Sequence, residues 1–421
     1  MQITDAHRAL ADKYLYRTTF KDVLVPDSLL TLLAYTFTEE EAQVVNCLSF
    51  SMRGPGAIAR KLKRPVDEVR PILQSLAERV LIIGVTTKRV SLYGYLPLYP
   101  GVYEAQMVIS EKKIQEGQRE KYFREFARLF EEFWDEFFIG LKNQGLAEKF
   151  QIMGVPFGRI ITVERAIEAT PGLVVIALAT DKYSEMVERS NSFALLNVCT
   201  CRQERALVGK DCRKVKTPGT VTCAIMGLPA EGAIKAGVAR RVSREEFLEA
   251  RARGIEAGLV AMVDKVKDPF FVCSCCNCCC TILRVLNRFN SPNLFTQSNF
   301  EAQIDPIKCN GCGTCLKPCP TTAIKVENKK ATIDYTRCIG CGVCVTRCDK
   351  NHAVILRERP IHKPLADNMA EFWLNRYFEI KGRQDSFFPK LSLGAVRALS
   401  KINPIHLTGP RAPRLGKSSK T

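Results

Sequence analysis

The chain has 421 residues, with 62 basic and 44 acidic side chains, a formal net charge of +18, and 46% hydrophobic residues. This composition excludes a collagen-like, mucin-like or wholly disordered chain, and the length suits roughly two to four domains. The amino terminus lacks the apolar core of a signal peptide, and no apolar run approaches the roughly 18 residues of a membrane span. We therefore expect a cytoplasmic protein, in which clustered thiols serve as metal ligands more often than as disulfides.

Residues 1–110 are predicted to form a winged-helix-like domain. Thr38, followed by Glu41, has the capping-box pattern of a helix start. Helical spacing and alternation of apolar residues then predict three helices and a hairpin, at residues 38–50, 57–64, 66–82 and 84–98. Gly54-Pro55-Gly56 is expected to break the chain between the first two helices. This order resembles the winged helix-turn-helix fold.

Two functions are open for this domain, namely DNA binding through the third helix or interaction with another protein. Residues 1–110 carry 13 basic and 11 acidic side chains, a net charge of +2. Because phosphate contacts dominate affinity for DNA, this near-neutral charge disfavours nucleic-acid binding. Cys47 falls on the apolar face of the first helix and is expected in the core.

Residues 111–170 are predicted to hold an amphipathic helix, over 116–150, and a connector. Its apolar stripe recurs at steps of three and four residues, at Tyr122, Phe126, Leu129, Phe133, Phe137 and Leu141. We interpret this stripe as the packing face between the first domain and the next, although it could also dock a partner.

Residues 171–300 form a predicted cysteine-rich, mainly helical domain with ten cysteines in two groups. The first group is Cys199, Cys201, Cys212 and Cys223, and the second is Cys273, Cys275, Cys276, Cys278, Cys279 and Cys280. Predicted helices over 184–197 and 243–264, the latter opened by Ser243 and Glu246, are expected to bring the two groups together.

Such a density of cysteines predicts bound metal, because free thiols oxidise. The first group could hold one [4Fe–4S] cluster by itself, and one or two additional Fe–S clusters are expected in this domain. No histidine lies in it, which argues against Cys/His zinc sites and a Cys–His nucleophile, whereas an all-cysteine zinc site remains open. Neighbouring cations, including Arg202 and Arg205, could offset thiolate charge.

Residues 301–356 contain a repeated C-x2-C-x2-C-x3-C pattern at an offset of 29 residues. The cysteines are Cys309, Cys312, Cys315 and Cys319 in the first half, and Cys338, Cys341, Cys344 and Cys348 in the second. This pattern resembles bacterial two-cluster ferredoxins, which bind two [4Fe–4S] clusters. A hairpin is predicted between the halves, over 323–334.

The resemblance implies which cysteines share a cluster. One set is Cys309, Cys312, Cys315 and Cys348, and the other is Cys338, Cys341, Cys344 and Cys319. Gly311, Gly313, Gly340 and Gly342 are expected to let backbone amides approach the cluster sulfurs. Asp349 stands where the first half has Pro320, and a carboxylate there would lower the potential of the nearby cluster.

Residues 357–421 form a basic, proline-containing tail with 13 basic and 5 acidic residues, a net charge of +8. We expect an extended arm, or a short amphipathic helix that contacts an acidic partner or the inner face of a membrane peripherally.

The whole predicts an α+β protein, whose arrangement over about residues 30–356 resembles multidomain ferredoxin-type iron–sulfur proteins of anaerobic bacteria and archaea. We interpret the chain as an electron-transfer subunit of an oxidoreductase system that passes single electrons between donor and acceptor redox proteins. The alternatives are a redox-sensing DNA-binding regulator and an enzyme subunit with an open-site cluster. The sequence contains no Gly-rich phosphate loop that would indicate a nucleotide site.

Overall fold

A computed structural model describes residues 2–15, 22–87, 90–108, 119–144, 158–216, 222–289, 296–348, 351–362, 364–369 and 371–372. Residues 1–365 form one compact unit, and a second begins at residue 366. Helices and strands are mixed throughout the first unit, so the predicted α+β class is confirmed at that level. None of the helices in the described part of the chain is both long and apolar enough to cross a membrane.

The first unit begins with five helices and a hairpin. They are α1 (Asp5–Tyr14), α2 (Asp27–Thr36), α3 (Glu39–Cys47), α4 (Pro55–Leu62), α5 (Val66–Glu78), β1 (Ile83–Thr86) and β2 (Ser91–Gly94). The three predicted helices and the antiparallel hairpin are confirmed, whereas the winged-helix assignment itself stays a prediction. The capping box is present, since Thr38 Oγ1 accepts from the Glu41 backbone N–H and Glu41 accepts from that of Thr38.

Two details of this region differ from expectation. Pro55 does not lie in a break between helices but begins α4, because a proline in the first helical turn loses no hydrogen bond. Cys47 is half-buried at the end of α3 rather than in the core.

The long amphipathic helix is α7 (Arg119–Asn143), which follows a π-helical turn (Leu98–Val102) and α6 (Tyr103–Val108). Five of its six predicted stripe residues are at most 5% exposed, and Tyr122 is half-buried. The stripe packs in one core with the preceding helices and with Leu207 and Val285 of the cysteine-rich region. Its interpretation as a packing face between two regions is thus confirmed; residues 109–118 and 145–157 lie outside the described residues.

The cysteine-rich region is organised around a six-stranded antiparallel sheet of order β3-β7-β8-β5-β4-β6. Its strands are β3 (Gly158–Ile161), β4 (Phe193–Leu196), β5 (Ala224–Met226), β6 (Ala239–Arg241), β7 (Val260–Asp264) and β8 (Phe271–Cys275). Its helices are α8 (Glu164–Glu168), α9 (Leu173–Ile176), α10 (Tyr183–Glu188), α11 (Thr200–Leu207), α12 (Leu228–Lys235), α13 (Arg244–Glu256) and α14 (Thr281–Phe289).

The expectation of a mainly helical domain missed this sheet. The predicted helix over 184–197 ends at Glu188 and gives way to β4, and the one over 243–264 ends at Glu256 and gives way to β7. Every residue of both strands is buried. A short strand buried on both faces is a continuous apolar run, whose periodicity does not distinguish it from a buried helix.

The ferredoxin-like region adds two antiparallel strand pairs. β9 (Phe300–Ile304) pairs with β12 (Val354–Glu358), and β10 (Ile324–Glu327) pairs with β11 (Lys330–Ile333) as the predicted hairpin. These strands share a core with β7 and α14 of the cysteine-rich region. Residues 373–421 lie outside the described residues, so the arm and the amphipathic helix remain predictions.

A buried ion cluster joins α7 to the helices that follow the cysteine groups. The Glu131 carboxylate accepts from Arg205 of α11 at 2.6 Å and from Arg284 of α14 at 2.7 Å. Burial alone would raise the pKa of Glu131, but hydrogen bonds from Arg284 and Arg205 lower this pKa to about 2. The carboxylate is therefore ionised at neutral pH and holds two cations on two different helices.

Replacing Glu131 with glutamine should lower the free energy of unfolding by about 3 kcal/mol or more, because two arginines lose their buried counter-charge. The matched control is Asp135→Asn on the same helix. Asp135 pairs with Arg288, and the two side chains are 47% and 49% exposed, so its loss should cost about 0–1 kcal/mol. Anaerobic urea titrations measure both, and equal shifts in the two variants would contradict the role of Glu131.

Candidate metal centres

Six thiols meet where three neighbouring strands reach the same end of the sheet. Cys273 lies in the middle of β8 and Cys275 is its last residue, Cys223 precedes β5, and Cys199 follows β4. In antiparallel strands the carboxyl end of one lies beside the amino end of the next, so the pairing itself assembles these side chains. Cys201 in α11 and Cys280 before α14 complete the set, here called the six-thiol group.

The six-thiol group is a continuous string of side-chain contacts. Cys223 Sγ lies 3.8 Å from Cys199 Sγ. Further thiol–thiol hydrogen bonds connect Cys223 to Cys273, Cys273 to Cys275, Cys275 to Cys280, and Cys280 to Cys201. Hydrogen bonds from Cys273 and Cys280 lower the pKa of Cys275 to about 6. Such a string offers several thiolates to one metal cluster.

The segment before α6 covers this group. Burial, followed by the charges of Glu104, Cys201, Cys280 and Cys273, raises the pKa of Tyr99 well above its usual value. The fully buried Tyr103 donates its hydroxyl hydrogen bond to the carboxylate of Glu204 in α11. The segment that carries Tyr99 and Tyr103 therefore packs over part of the six-thiol group, in which Cys223, Cys275 and Cys280 are buried and Cys199, Cys201 and Cys273 are half-buried.

The remaining four cysteines of this region, Cys212, Cys276, Cys278 and Cys279, form a second set, here called the four-thiol group. Their Sγ atoms all lie within 4.8 Å of one another. As expected, the two sequence groups meet, but the structure divides them differently. Cys212 lies with the four-thiol group instead of with Cys199, Cys201 and Cys223. Cys201 lies in the first turn of α11.

The eight cysteines of the ferredoxin-like region fall into two interleaved sets. Burial, followed by the nearby thiols of Cys348, Cys309 and Cys312, raises the pKa of Cys315 to about 11. Burial, followed by the thiols of Cys341, Cys338 and Cys319 and then by that of Cys315 in the other set, raises the pKa of Cys344 well above its usual value. The structure thus brings together the members of each set implied by the resemblance.

The two sets differ in exposure. Cys312 is exposed, and residues on both sides of it, Ile307 and Leu316, are 92% and 41% exposed. In contrast, residues 338–345 are buried throughout. Cys319, Cys338, Cys341 and Cys344 line a small cavity, together with Ala302, Ile324, Ile339 and other mainly apolar residues. A buried apolar cavity with four thiols suits an iron–sulfur cluster.

Backbone amides point at these sulfurs, as a thiolate-bound cluster requires. Ala323 N–H donates to Cys319 Sγ at 3.3 Å, and Ala331 N–H donates to Cys309 Sγ at 3.4 Å. The four predicted glycines Gly311, Gly313, Gly340 and Gly342 have φ between +72° and +76°. This left-handed conformation turns each loop and favours glycine.

The buried loop at 338–344 is joined to the sheet region. Val163 N–H donates to the Cys341 carbonyl at 3.0 Å, and Thr162 Oγ1 donates to the Gly340 carbonyl at 2.8 Å. On the other side, Asn287 of α14 donates to the Pro320 carbonyl at 2.8 Å. The helix that follows Cys280 therefore also contacts the loop that carries Cys319.

A buried arginine lies between this loop and the six-thiol group. Arg251 of α13 is 6% exposed, and its Nη1 has no hydrogen-bond partner among the described residues. Burial lowers the pKa of Arg251, while Tyr183 and then the thiols of Cys341 and Cys275 act in the opposite direction. The guanidinium thus interacts with a thiol on each side of the junction.

Sequence reasoning missed several of these residues. Arg251 is one of many charges in a helix pattern, and no spacing marks it as buried. Tyr103 and Glu204 lie about 100 positions apart and carry no motif.

Arg202 was noted in the sequence only as one of several cations near the cysteines. In the structure its Nη2 donates to the Ser274 carbonyl at 2.6 Å. Burial alone would lower the pKa of Arg202, but nearby thiols, led by Cys199 and Cys276, raise this pKa above its usual value. Asp349 lies outside the described residues.

Comparison with known families gives one match: residues 301–349 match the 4Fe–4S dicluster domain. Comparison with curated proteins and with solved structures yields no match. The chain therefore contains a domain that binds 4Fe–4S clusters, and the resemblance seen in its cysteine spacing is confirmed for this segment.

Gly340→Ala should reduce the iron and sulfide content of the purified protein. A Cβ at this position would lie 1.9 Å from the Phe300 carbonyl oxygen, so the buried loop would have to shift. Gly313→Ala is the matched control, since its φ of +75° imposes the same backbone strain but nothing lies within 4 Å of the added Cβ.

Anaerobic iron and sulfide analysis distinguishes the two glycine variants. We expect Gly340→Ala to lose about half of the iron of the ferredoxin-like region and Gly313→Ala to retain it. Equal iron content in both variants would show that the close approach of residue 340 to the Phe300 carbonyl does not affect cluster binding.

Proposed function

We propose that this chain is an electron carrier that passes single electrons between partner redox proteins. Two [4Fe–4S] clusters would be held by Cys309, Cys312, Cys315 and Cys348, and by Cys338, Cys341, Cys344 and Cys319. A further iron–sulfur cluster would be held by the six-thiol group. When bound, such clusters accept and release one electron at a time.

The observation that carries this proposal is the serial arrangement of the three thiol sets. The set with exposed Cys312 is next to the buried set through Cys315 and Cys344. The buried set is next to the six-thiol group through Arg251, which interacts with Cys341 and Cys275. This order supports a route from the surface into the protein.

The surface around Cys312 supports docking of a redox partner there. Ile307 and Leu316 supply exposed apolar area, and exposed Lys317 lies beside them, as does Lys308, which lies 3.9 Å from the Asp305 carboxylate. An apolar centre with an exposed lysine at its rim would favour an acidic partner.

The DNA-binding alternative receives less support. Arg64 and Arg79, which flank α5, are paired with acidic residues. Arg64 lies 2.6 Å from Glu40 and 3.1 Å from Glu68, and Arg79 lies 2.5 Å from Glu41. Cations already paired within the protein contribute less to a phosphate-binding surface.

Anaerobic stopped-flow mixing tests the proposal directly. The dithionite-reduced full chain is mixed with oxidised cytochrome c as a one-electron acceptor. We expect the visible absorption of the clusters to return as the cytochrome is reduced, with one cytochrome reduced per cluster. A chain whose clusters are not reduced by dithionite, or do not pass electrons to the acceptor, would refute the carrier function.

Arg251→Met should lower the midpoint potential of the buried ferredoxin cluster, because removal of a nearby positive charge destabilises the reduced state. A charge interaction of about 1 kcal/mol or more at such a site corresponds to about 40 mV or more for one electron. Potentiometric titration followed by EPR measures the shift.

Arg253→Met is the control for Arg251, because Arg253 lies on the same helix with its side chain 44% exposed and pairs with Glu249. Its potentials should match those of the wild type, and Arg251→Lys, which keeps the positive charge, should keep the potential close to the wild-type value. Unchanged potentials in Arg251→Met, or equal shifts in both methionine variants, would contradict the electrostatic role of Arg251.

A further inference from the structure

The four-thiol group has a geometry different from that of the other thiol sets. We propose that Cys212, Cys276, Cys278 and Cys279 bind a single metal ion tetrahedrally, as Zn²⁺ or a lone iron is bound by four thiolates, and not an iron–sulfur cluster. This site would be structural and would lie outside the electron route.

The sulfur–sulfur distances support one shared ion. Cys212 Sγ lies 3.7 Å from both Cys276 Sγ and Cys278 Sγ, and Cys278 Sγ lies 3.8 Å from Cys279 Sγ. Four sulfurs bound tetrahedrally at about 2.3 Å from one ion lie about 3.8 Å apart. The thiols therefore have the spacing of a mononuclear site, whose tetrahedral S4 chemistry is that of zinc or iron.

The ferredoxin-like region provides an internal comparison. In a [4Fe–4S] cluster each thiolate binds a different iron, so the four sulfurs lie farther apart than ligands of one ion. Among the described residues, which include all eight of these cysteines, the four-thiol group is the one set of three or more metal-ligating side chains within 4.8 Å. The compactness is thus a property of this group and not of the cysteine-rich chain in general.

The surroundings of the four-thiol group are those of a closed site. Cys279 is fully buried, Cys276 is 2% exposed and Cys212 is 8% exposed, and they pack around fully buried Leu259. All four positions of a tetrahedral ion are filled by cysteine, which leaves none open for water or substrate, as in structural zinc sites.

The thiolate charge of this group is offset locally. Val215 N–H donates to Cys212 Sγ at 3.3 Å, and the backbone of Arg213 hydrogen-bonds the Cys278 thiol. Arg202 interacts electrostatically with Cys276 and Cys212.

The proposed ion would join two segments that the sheet alone does not connect. Cys212 lies in the loop after α11, and the other three cysteines lie in the turn after β8. Both segments also carry ligands of the six-thiol group, Cys201 and Cys280. A single ion here would therefore fix the two ends from which those ligands project.

Metal analysis and X-ray absorption on the anaerobically purified full chain test the proposal. We expect one zinc per chain, whose absorption edge shows about four sulfurs near 2.3 Å and no iron neighbour, or else one iron in excess of the sulfide-bound iron. A zinc with an iron neighbour, or the absence of both zinc and excess iron, would overturn the proposal. Metal analysis identifies the ion.

Cys279→Ser provides the second test, with Cys47→Ser as the control, because Cys47 lies in none of the thiol sets. We expect Cys279→Ser to lose the single ion while retaining the sulfide-bound iron, the sulfide and the ferredoxin EPR signals, and Cys47→Ser to retain everything. Loss of four irons together with four sulfides from Cys279→Ser would overturn the proposal. If the serine variant does not fold, the absorption spectrum of the wild type decides.

Discussion

Negative charge on thiolates is the constraint around which this structure is arranged. Eighteen of the nineteen cysteines lie between residues 199 and 348. A thiolate inside a protein is stable only when a metal, backbone N–H groups or cations offset its charge. The structure supplies the last two. Backbone amides point at Cys309, Cys319 and Cys212, and Arg202 and Arg251 are placed against thiols of different sets.

The fold places these thiols on elements that cannot move independently. Antiparallel pairing of β4, β5 and β8 fixes the end of the sheet where the six-thiol group forms. The Glu131 ion cluster ties α11 and α14, which directly follow two of the ligating segments, to the long helix α7. Rigid support of this kind is what a redox site requires, because small changes in ligand position change its potential. The π-helical turn, α6 and α7 therefore pack against the elements that carry the thiol sets.

How far the sequence predicts this arrangement depends on the chain separation of the contacts. The ferredoxin-like region was predictable, because its ligands lie within 40 residues and their spacing is itself the motif. The position of Cys212 among the four-thiol group was not predictable, because its thiol partners Cys276 and Cys278 are 64 and 66 positions away. Their meeting depends on strand pairings that involve β4. β4 and β7 were assigned to helices because buried strands lack the alternation that identifies them. The role of Arg251 becomes visible only in the folded chain, where its guanidinium interacts with Cys341 and Cys275.

In the proposed function, a third redox-active cluster lies in series with the two ferredoxin clusters. Quantitative EPR of the dithionite-reduced full chain counts the clusters that accept an electron. Three clusters in series predict more than two unpaired spins per chain, with signals broadened by magnetic interaction and simplified in the Cys275→Ser variant. Two spins per chain, unchanged by loss of Cys275, would show that the six-thiol group carries no redox cluster and would contradict the account.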